Sequence, residues 1–197
     1  MKIFKYKNYQ EYEKAQKDAF IKKNKNVWAK EENIKTIAEY LKPRKPITGI
    51  CHGVRQGWEV IWFRRYLGTC NIVGTDIGNT KKEFIVRHDF NKPLNHDIQY
   101  DFIYSNSFDH AYNPKSTFNI WADQVIKGGL IILEYDRRQE HTGEISKPVN
   151  KVDPVSIKVE ELIELIPKWR TNSKVIDVLD MPVVTQEWRK AIVIEVK

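Results

Sequence analysis

From residue 47 onward, short apolar runs alternate with stretches of helical periodicity, and this alternation limits the fold more than any other feature. Apolar runs of strand length are typical of strands that are buried on both faces. Such strands joined by helices predict a parallel sheet that is covered by helices. The candidate strands are residues 47–51, 70–76, 83–87, 101–106 and 129–135, and helices are predicted at 57–67 and 116–127.

The end of the chain predicts a different strand arrangement. A helix at 156–167 is followed by two β-rich runs, 174–180 and 187–196, which are joined by a few residues that include Pro182. This connection is too short for a crossover helix, so the two runs should pair antiparallel. The predicted fold is therefore α/β: a doubly wound, mostly parallel seven-stranded sheet with a C-terminal antiparallel hairpin.

The first 46 residues have a different composition from the rest. Residues 8–24 and 30–41 have apolar positions at helical spacing, and Pro43 and Pro46 end the helical region. We predict an N-terminal helical extension at 1–46 ahead of a domain at 47–197. The extension holds 13 Lys/Arg and 6 Asp/Glu, which accounts for the whole net charge of +7. A solvated Lys-rich face is the favoured interpretation, and contact with nucleic acid is the alternative.

Targeting and redox signals are absent from the sequence. No apolar run approaches the roughly 18 residues of a membrane span, and the N-terminus has no secretion-signal h-region. We therefore expect a cytoplasmic protein. Cys51 and Cys70 each lie in an apolar run and are expected to be buried free thiols.

Two loops after predicted strands have the residues of a nucleotide site. The first, Gly53-Val54-Arg55-Gln56-Gly57, can turn tightly and presents the N–H groups of a following helix. The second strand ends at Asp76, which lies 19 residues after Gly57. A carboxylate at about this distance from a glycine turn is placed to accept hydrogen bonds from ribose hydroxyls.

Two further loops supply polar side chains at the same predicted edge. Asp89 and Phe90 follow the third strand, where a carboxylate could accept from an adenine amine and a ring could pack on the base. An N-cap role is the alternative for Asp89. The segment 105–113 follows the fourth strand and contains Asp109 and His110, which could remove a proton from a nucleophilic hydroxyl. A turn without a catalytic role is the alternative there.

These features resemble the class I, Rossmann-like methyltransferases over residues 47–197. The resemblance rests on the glycine turn, Asp76, Asp89, the buried strand from residue 101 and the Gly128-Gly129 turn before strand five. It implies S-adenosylmethionine as the cofactor and no metal site. The cofactor-binding residues that it implies are Cys51, Gly53, Arg55, Gly57, Asp76, Ile77, His88, Asp89, Phe90, Ser105, Asn106 and Ser107. Cys51 departs from the family, which usually has an acidic residue there.

The predicted reaction is methyl transfer to a hydroxyl of a small molecule or glycan, with Asp109 or His110 as the base. Because the methyl group of the cofactor is already activated, positioning should dominate catalysis. Other candidates lie after strand five: Asp136, Arg137, Arg138, Glu140 and His141. Arg137 and Arg138 could bind an acidic acceptor, and a solvated pair is the favoured interpretation. The alternative functions are an NAD-dependent oxidoreductase and a nucleic-acid-binding or nucleic-acid-modifying protein that uses the basic N-terminus.

Overall fold

The computed structural model describes residues 1–140, 148–185 and 187–197. In chain order its strands are β1 (Lys2–Ile3), β2 (Gly49–His52), β3 (Ile72–Asp76), β4 (Ile85–Arg87), β5 (Tyr100–Ser105), β6 (Val125–Asp136), β7 (Val155–Ser156), β8 (Ser173–Asp180) and β9 (Arg189–Val196). The helices are α1 (Tyr9–Lys23), α2 (Glu31–Leu41), α3 (Trp58–Leu67), α4 (Pro114–Asp123) and α5 (Val159–Trp169). Short 3-10 turns lie at Lys42–Arg44, Phe108–His110 and Arg137–Glu140.

Seven strands form one sheet in the order β4-β3-β2-β5-β6-β9-β8. The first five in that order are parallel, with β2 between β3 and β5. β9 lies between β6 and β8 and pairs antiparallel with both of them. The prediction of a mostly parallel sheet with a C-terminal antiparallel hairpin is confirmed. The strand order reverses between β2 and β5, which is where open α/β sheets bind ligands.

Helices cover both faces of this sheet, as the doubly wound prediction requires. On one face, α4 and α5 pack their apolar side chains on the strands through Trp121 and Leu162. On the other face, α2 and α3 do the same through Ile37 and Phe63. The second core therefore includes a helix from the N-terminal 46 residues. The division of the chain at residue 46 stays a prediction.

One predicted helix was wrong at its C-terminal end. The apolar pattern predicted a helix at 116–127, but α4 ends at Asp123 and Val125 already pairs with Tyr100 of the neighbouring strand. Val125 and Ile126 suit a helix face and a buried strand equally, so periodicity alone did not separate them. The Gly128-Gly129 turn lies inside β6, where a Cβ at Gly129 would lie 2.8 Å from the Asp101 carbonyl oxygen.

Other features were not predicted. The two-residue strands β1 and β7 pair antiparallel and connect the start of the chain to residues near α5. Cys51 is a buried free thiol as expected, but Cys70 is exposed because it lies in the turn before β3 rather than in the strand. None of the helices in the described ranges combines the length and the hydrophobicity needed to cross a membrane.

Candidate functional site

The glycine loop joins β2 to α3 and forms the floor of a cleft. Gly53, Arg55 and Gly57 all have positive φ angles, of 76°, 45° and 67°. Glycine adopts this region freely, whereas an arginine there is strained by about 1–2 kcal/mol. A Cβ at Gly53 would lie 2.8 Å from the Cβ of Ser107, so the loop and the end of β5 approach each other closely.

Asp76 ties the second strand to this loop. One carboxylate oxygen accepts from the backbone N–H of Arg55 at 2.7 Å, and the other accepts from the N–H of Gly78 at 2.9 Å. Burial raises the pKa of Asp76, while these two hydrogen bonds oppose that shift. Because a carboxylate oxygen can accept two hydrogen bonds, each of them keeps capacity for a ligand donor.

Asp89 and Phe90 lie beside each other at the end of β4. Asp89 accepts from the Tyr9 hydroxyl at 2.5 Å and from the backbone and side-chain nitrogens of Asn91. Burial raises the pKa of Tyr9, and its hydrogen bond to Asp89 raises it further. Phe90 packs edge-on against Trp121 with 5.4 Å between the ring centroids. The Asp89 carboxylate thus already holds a protein donor from α1.

A cleft lies between these loops. It brings together eight of the predicted site residues: Gly53, Arg55, Asp76, Ile77, Asp89, Phe90, Ser107 and His110. Its other wall is α1, which contributes Tyr12, Gln16, Ala19, Phe20 and Lys23. The sequence identified the apolar face of α1 but gave no signal that this face covers a site. Phe20 lies against Gly78, where any Cβ would collide with its ring.

His110 faces the cleft, and Asp109 lies behind it. His110 Nδ1 is 3.1 Å from Gln16 Oε1, and its Nε2 is 3.8 Å from a carboxylate oxygen of Asp153. Asp109 is buried and accepts from the Gln139 side chain at 2.9 Å. The distance from His110 Nε2 to Asp109 is 4.0 Å. Of the two predicted bases, His110 is therefore the one in a position to meet a ligand.

Four predicted cofactor-binding residues line neither the cleft nor the smaller cavity beside it. Cys51 is fully buried below the loop, and burial raises the pKa of its thiol well above the usual value. Gly57 is the N-cap of α3, and His88 Nε2 lies 3.0 Å from the Lys92 carbonyl oxygen. Ser105 is buried and donates to the His52 carbonyl at 2.9 Å. These four residues lie in or beside the loops and do not line the cleft.

The polar residues after β6 pair largely with one another. Arg138 forms an ion pair with Asp136 at 2.6 Å, and Arg137 lies 3.7 Å from Glu140. His141 lies outside the described residues.

A second, smaller cavity adjoins the cleft at the glycine loop. It shares Gly53, Arg55 and Ser107 with the cleft, and Asn106 also lines it. The loop between α1 and α2 closes it with Asn26, Val27 and Trp28. Gln56 and Glu59 also line it. Glu59 lies in the first turn of α3 and was not predicted from the sequence, because it fits a solvated helix position.

Glu59 is 5 % exposed. Burial raises its pKa to about 8, a shift that nearby Glu134 and Asp76 increase and Arg55 reduces. Apart from its own backbone N–H, no described residue donates a hydrogen bond to its carboxyl group.

Comparison with solved structures identifies the fold. The chain is similar to the Burkholderia thailandensis 1,6-didemethyltoxoflavin N1-methyltransferase, with a TM-score of 0.71, 12 % identity, and coverage of 98 % of this chain and 92 % of that one. This is the class I methyltransferase fold. The same fold is seen in the plantazolicin methyltransferase BpumL (TM-score 0.67, 12 % identity, 95 % and 98 % coverage) and in the Bradyrhizobium japonicum N-methyltransferase NodS (0.66, 8 %, 92 % and 98 %).

All three structures contain S-adenosylhomocysteine. No protein-family model and no curated protein sequence matches the chain.

Proposed function

We propose that this protein is an S-adenosylmethionine-dependent methyltransferase. The observation that carries the proposal is the cleft at the strand-order reversal, where Gly53, Asp76 and Phe90 meet on the fold of enzymes that bind S-adenosylhomocysteine. The oxidoreductase alternative has less support, because the three solved structures compared above share the fold and are methyltransferases.

The residues of the two cavities fit the parts of this cofactor. The Asp76 carboxylate can accept from ribose hydroxyls, and Phe90 offers an apolar ring to an adenine base. Asn106 offers a buried amide nitrogen that has no hydrogen-bond partner among the described residues. A buried donor without a partner is costly, so a ligand acceptor there would be favourable. When bound, the cofactor supplies a methyl group activated by the positive sulfur atom.

The protein's own contribution would be positioning, exclusion of water and removal of one proton. Tyr12 and Phe20 of α1 line the cleft, where they would exclude water from a bound ligand. His110 is proposed as the base, since its Nε2 faces the carboxylate of Asp153 while Nδ1 is held by Gln16. The nearby carboxylate would stabilise the imidazolium that forms when His110 takes a proton from an acceptor hydroxyl.

The acceptor is proposed to be a hydroxyl of a small molecule or glycan. Two of the similar structures are N-methyltransferases, and one of them has 1,6-didemethyltoxoflavin bound. We favour oxygen because a neutral hydroxyl needs the base that His110 can provide. Nucleic acid as a partner of the basic N-terminal segment is the second candidate. This candidate requires nucleic-acid binding whose affinity falls steeply as the salt concentration rises.

The cofactor is tested by calorimetry with S-adenosylhomocysteine and, separately, with NAD. We expect binding of the first and none of the second. Binding of NAD without binding of S-adenosylhomocysteine would favour an oxidoreductase and contradict the proposal.

The base is tested with radiolabelled S-adenosylmethionine and a panel of hydroxyl and amine acceptors. His110→Asn should lower turnover on a hydroxyl acceptor by about 10²–10⁴-fold, the usual contribution of general base catalysis. The dissociation constant of S-adenosylhomocysteine should stay within about twofold. Unchanged turnover in both His110→Asn and Asp109→Asn would exclude these two residues as the base.

A further inference from the structure

The second cavity brings together an acceptor and a donor that the other described residues leave unsatisfied. Glu59 is buried and takes no hydrogen bond from another described residue, and the buried Asn106 Nδ2 has no partner among them either. Buried polar groups are normally satisfied, and a buried carboxyl group without a partner is costly. Both groups line one cavity, so one ligand with a donor at one end and an acceptor at the other could satisfy both.

The remaining charge in this cavity points to a zwitterion. Arg55 lines it on the glycine loop, and among the described residues its side chain donates one hydrogen bond, to the backbone carbonyl of Asn26 at 3.4 Å. A guanidinium and an amide nitrogen can hold a ligand carboxylate, while a carboxyl group can hold a ligand ammonium. An α-amino-acid group carries both charges, because its ammonium and its carboxylate are attached to the same carbon atom.

The position of the cavity connects it to the proposed cofactor. It shares Gly53, Arg55 and Ser107 with the cleft where Asp76 and Phe90 would hold adenosine. A ligand that extends from the cleft across the glycine loop would place its far end here. Cys51 is fully buried and cannot supply the charge.

We infer that Glu59 is the residue that binds the α-ammonium group of the cofactor's amino-acid end, with Arg55 and Asn106 on its carboxylate. This inference rests on the proposed function. Glu59 does not stand at the position where the resemblance placed an acidic residue; it comes from the first turn of α3, eight residues further along the chain.

Protonation of Glu59 gives the site a measurable signature. The charged and titratable groups around it are Arg55, Asp76, Glu134, Cys51 and Tyr104. Two of these are carboxylates and only one is a cation, which agrees with a pKa raised to about 8 mainly by burial. At pH 7 the free protein would hold a proton on Glu59. A bound ammonium favours the carboxylate, so binding should release that proton.

The test compares two ligands that differ only in the amino-acid end. S-adenosylhomocysteine has it, whereas 5′-methylthioadenosine keeps the adenosine part alone. Glu59→Gln should weaken binding of S-adenosylhomocysteine by at least about tenfold and leave 5′-methylthioadenosine within about twofold. Asp76→Asn is the matched control, because it should weaken both ligands. The exposed Glu160→Gln should weaken neither.

Calorimetry of the unaltered protein in buffers of different ionisation enthalpy supplies a second measurement. At pH 7 we expect S-adenosylhomocysteine to release more protons than 5′-methylthioadenosine, and this difference should vanish in Glu59→Gln. Equal proton counts in the unaltered protein would overturn the inference. So would an equal loss of affinity for both ligands, or no loss for either, in Glu59→Gln. Failure of the unaltered protein to bind either ligand would instead contradict the proposed function.

Discussion

Two of the buried glutamates, Glu134 and Glu59, differ in their surroundings. Glu134 of β6 accepts from the side chains of Asn33 and Tyr104 and forms a 2.7 Å ion pair with the buried Arg189. Among the described residues, Glu59 of α3 has no side-chain hydrogen-bond donor and no ion-pair partner. The first carboxylate is satisfied by the protein itself and stabilises it. The second is left for something else to satisfy, at a cost to the protein without ligand.

The largest effect is expected from removing the satisfied carboxylate. Glu134→Ala would leave Arg189 buried without its counter-charge, which typically costs about 3–5 kcal/mol. Chemical denaturation should show this loss in the free energy of unfolding. Glu134→Gln should lose less, because it can still accept from Asn33. If Glu134→Ala cost under about 1 kcal/mol, the contrast between the two glutamates would be wrong.

The second prediction concerns the unsatisfied carboxylate and its pH dependence. The pKa of Glu59 is about 8 in the folded chain and near 4.5 when exposed. The unfolded chain loses this proton first, so stability is lost as the pH rises from about 4.5 to about 8. Glu59→Gln removes this loss. Its unfolding free energy relative to the unaltered protein should rise by about 1.4 kcal/mol per pH unit in that range.

Ligand-free protein at pH 5, 6, 7 and 8 is required for this measurement, with denaturant titrations of both proteins. The exposed Glu160→Gln serves as the control and should follow the unaltered protein at every pH. A constant difference between Glu59→Gln and the unaltered protein across this range would show that Glu59 ionises normally. The contrast between Glu59 and Glu134 would then be wrong.

The smallest predicted change in unfolding free energy is at Arg55, where the effects on stability and on ligand binding can be separated. Arg55 has a positive φ of 45°, a conformation that glycine adopts without strain. Arg55→Gly should therefore raise the unfolding free energy by about 1 kcal/mol or leave it unchanged, since flexibility in the unfolded chain opposes the gain. It should weaken S-adenosylhomocysteine more than 5′-methylthioadenosine. Equal weakening of both would assign Arg55 only to the shape of the loop.

The sequence was sufficient for the sheet because strand burial is a local pattern. Runs such as 101–106 are apolar on both faces, and the short connection at Pro182 allows only an antiparallel pair. Where two structures fit the same residues, as at Val125 and Ile126, the pattern failed and tertiary pairing decided. The two-residue strands β1 and β7 carry too few residues to show any periodicity.

The site was predictable only where the rule of strand ends applies. Gly53, Asp76 and Phe90 follow parallel strands, and the topology brings such residues together whatever lies elsewhere in the chain. The wall formed by α1 depends on where a helix from the start of the chain packs, which local sequence does not specify. Glu59 was missed for a related reason, because a helix position does not reveal which face is covered by a distant loop.

The position of β9 has a consequence for how the chain is made. This strand is residues 189–196, yet it lies inside the sheet between β6 and β8. Until it emerges from the ribosome, β6 is an open apolar edge and Glu134 lacks Arg189. Such an edge is a template for pairing with other chains. The nascent protein therefore passes through an aggregation-prone stage that lasts until these residues emerge, and chaperone binding would protect it during that stage.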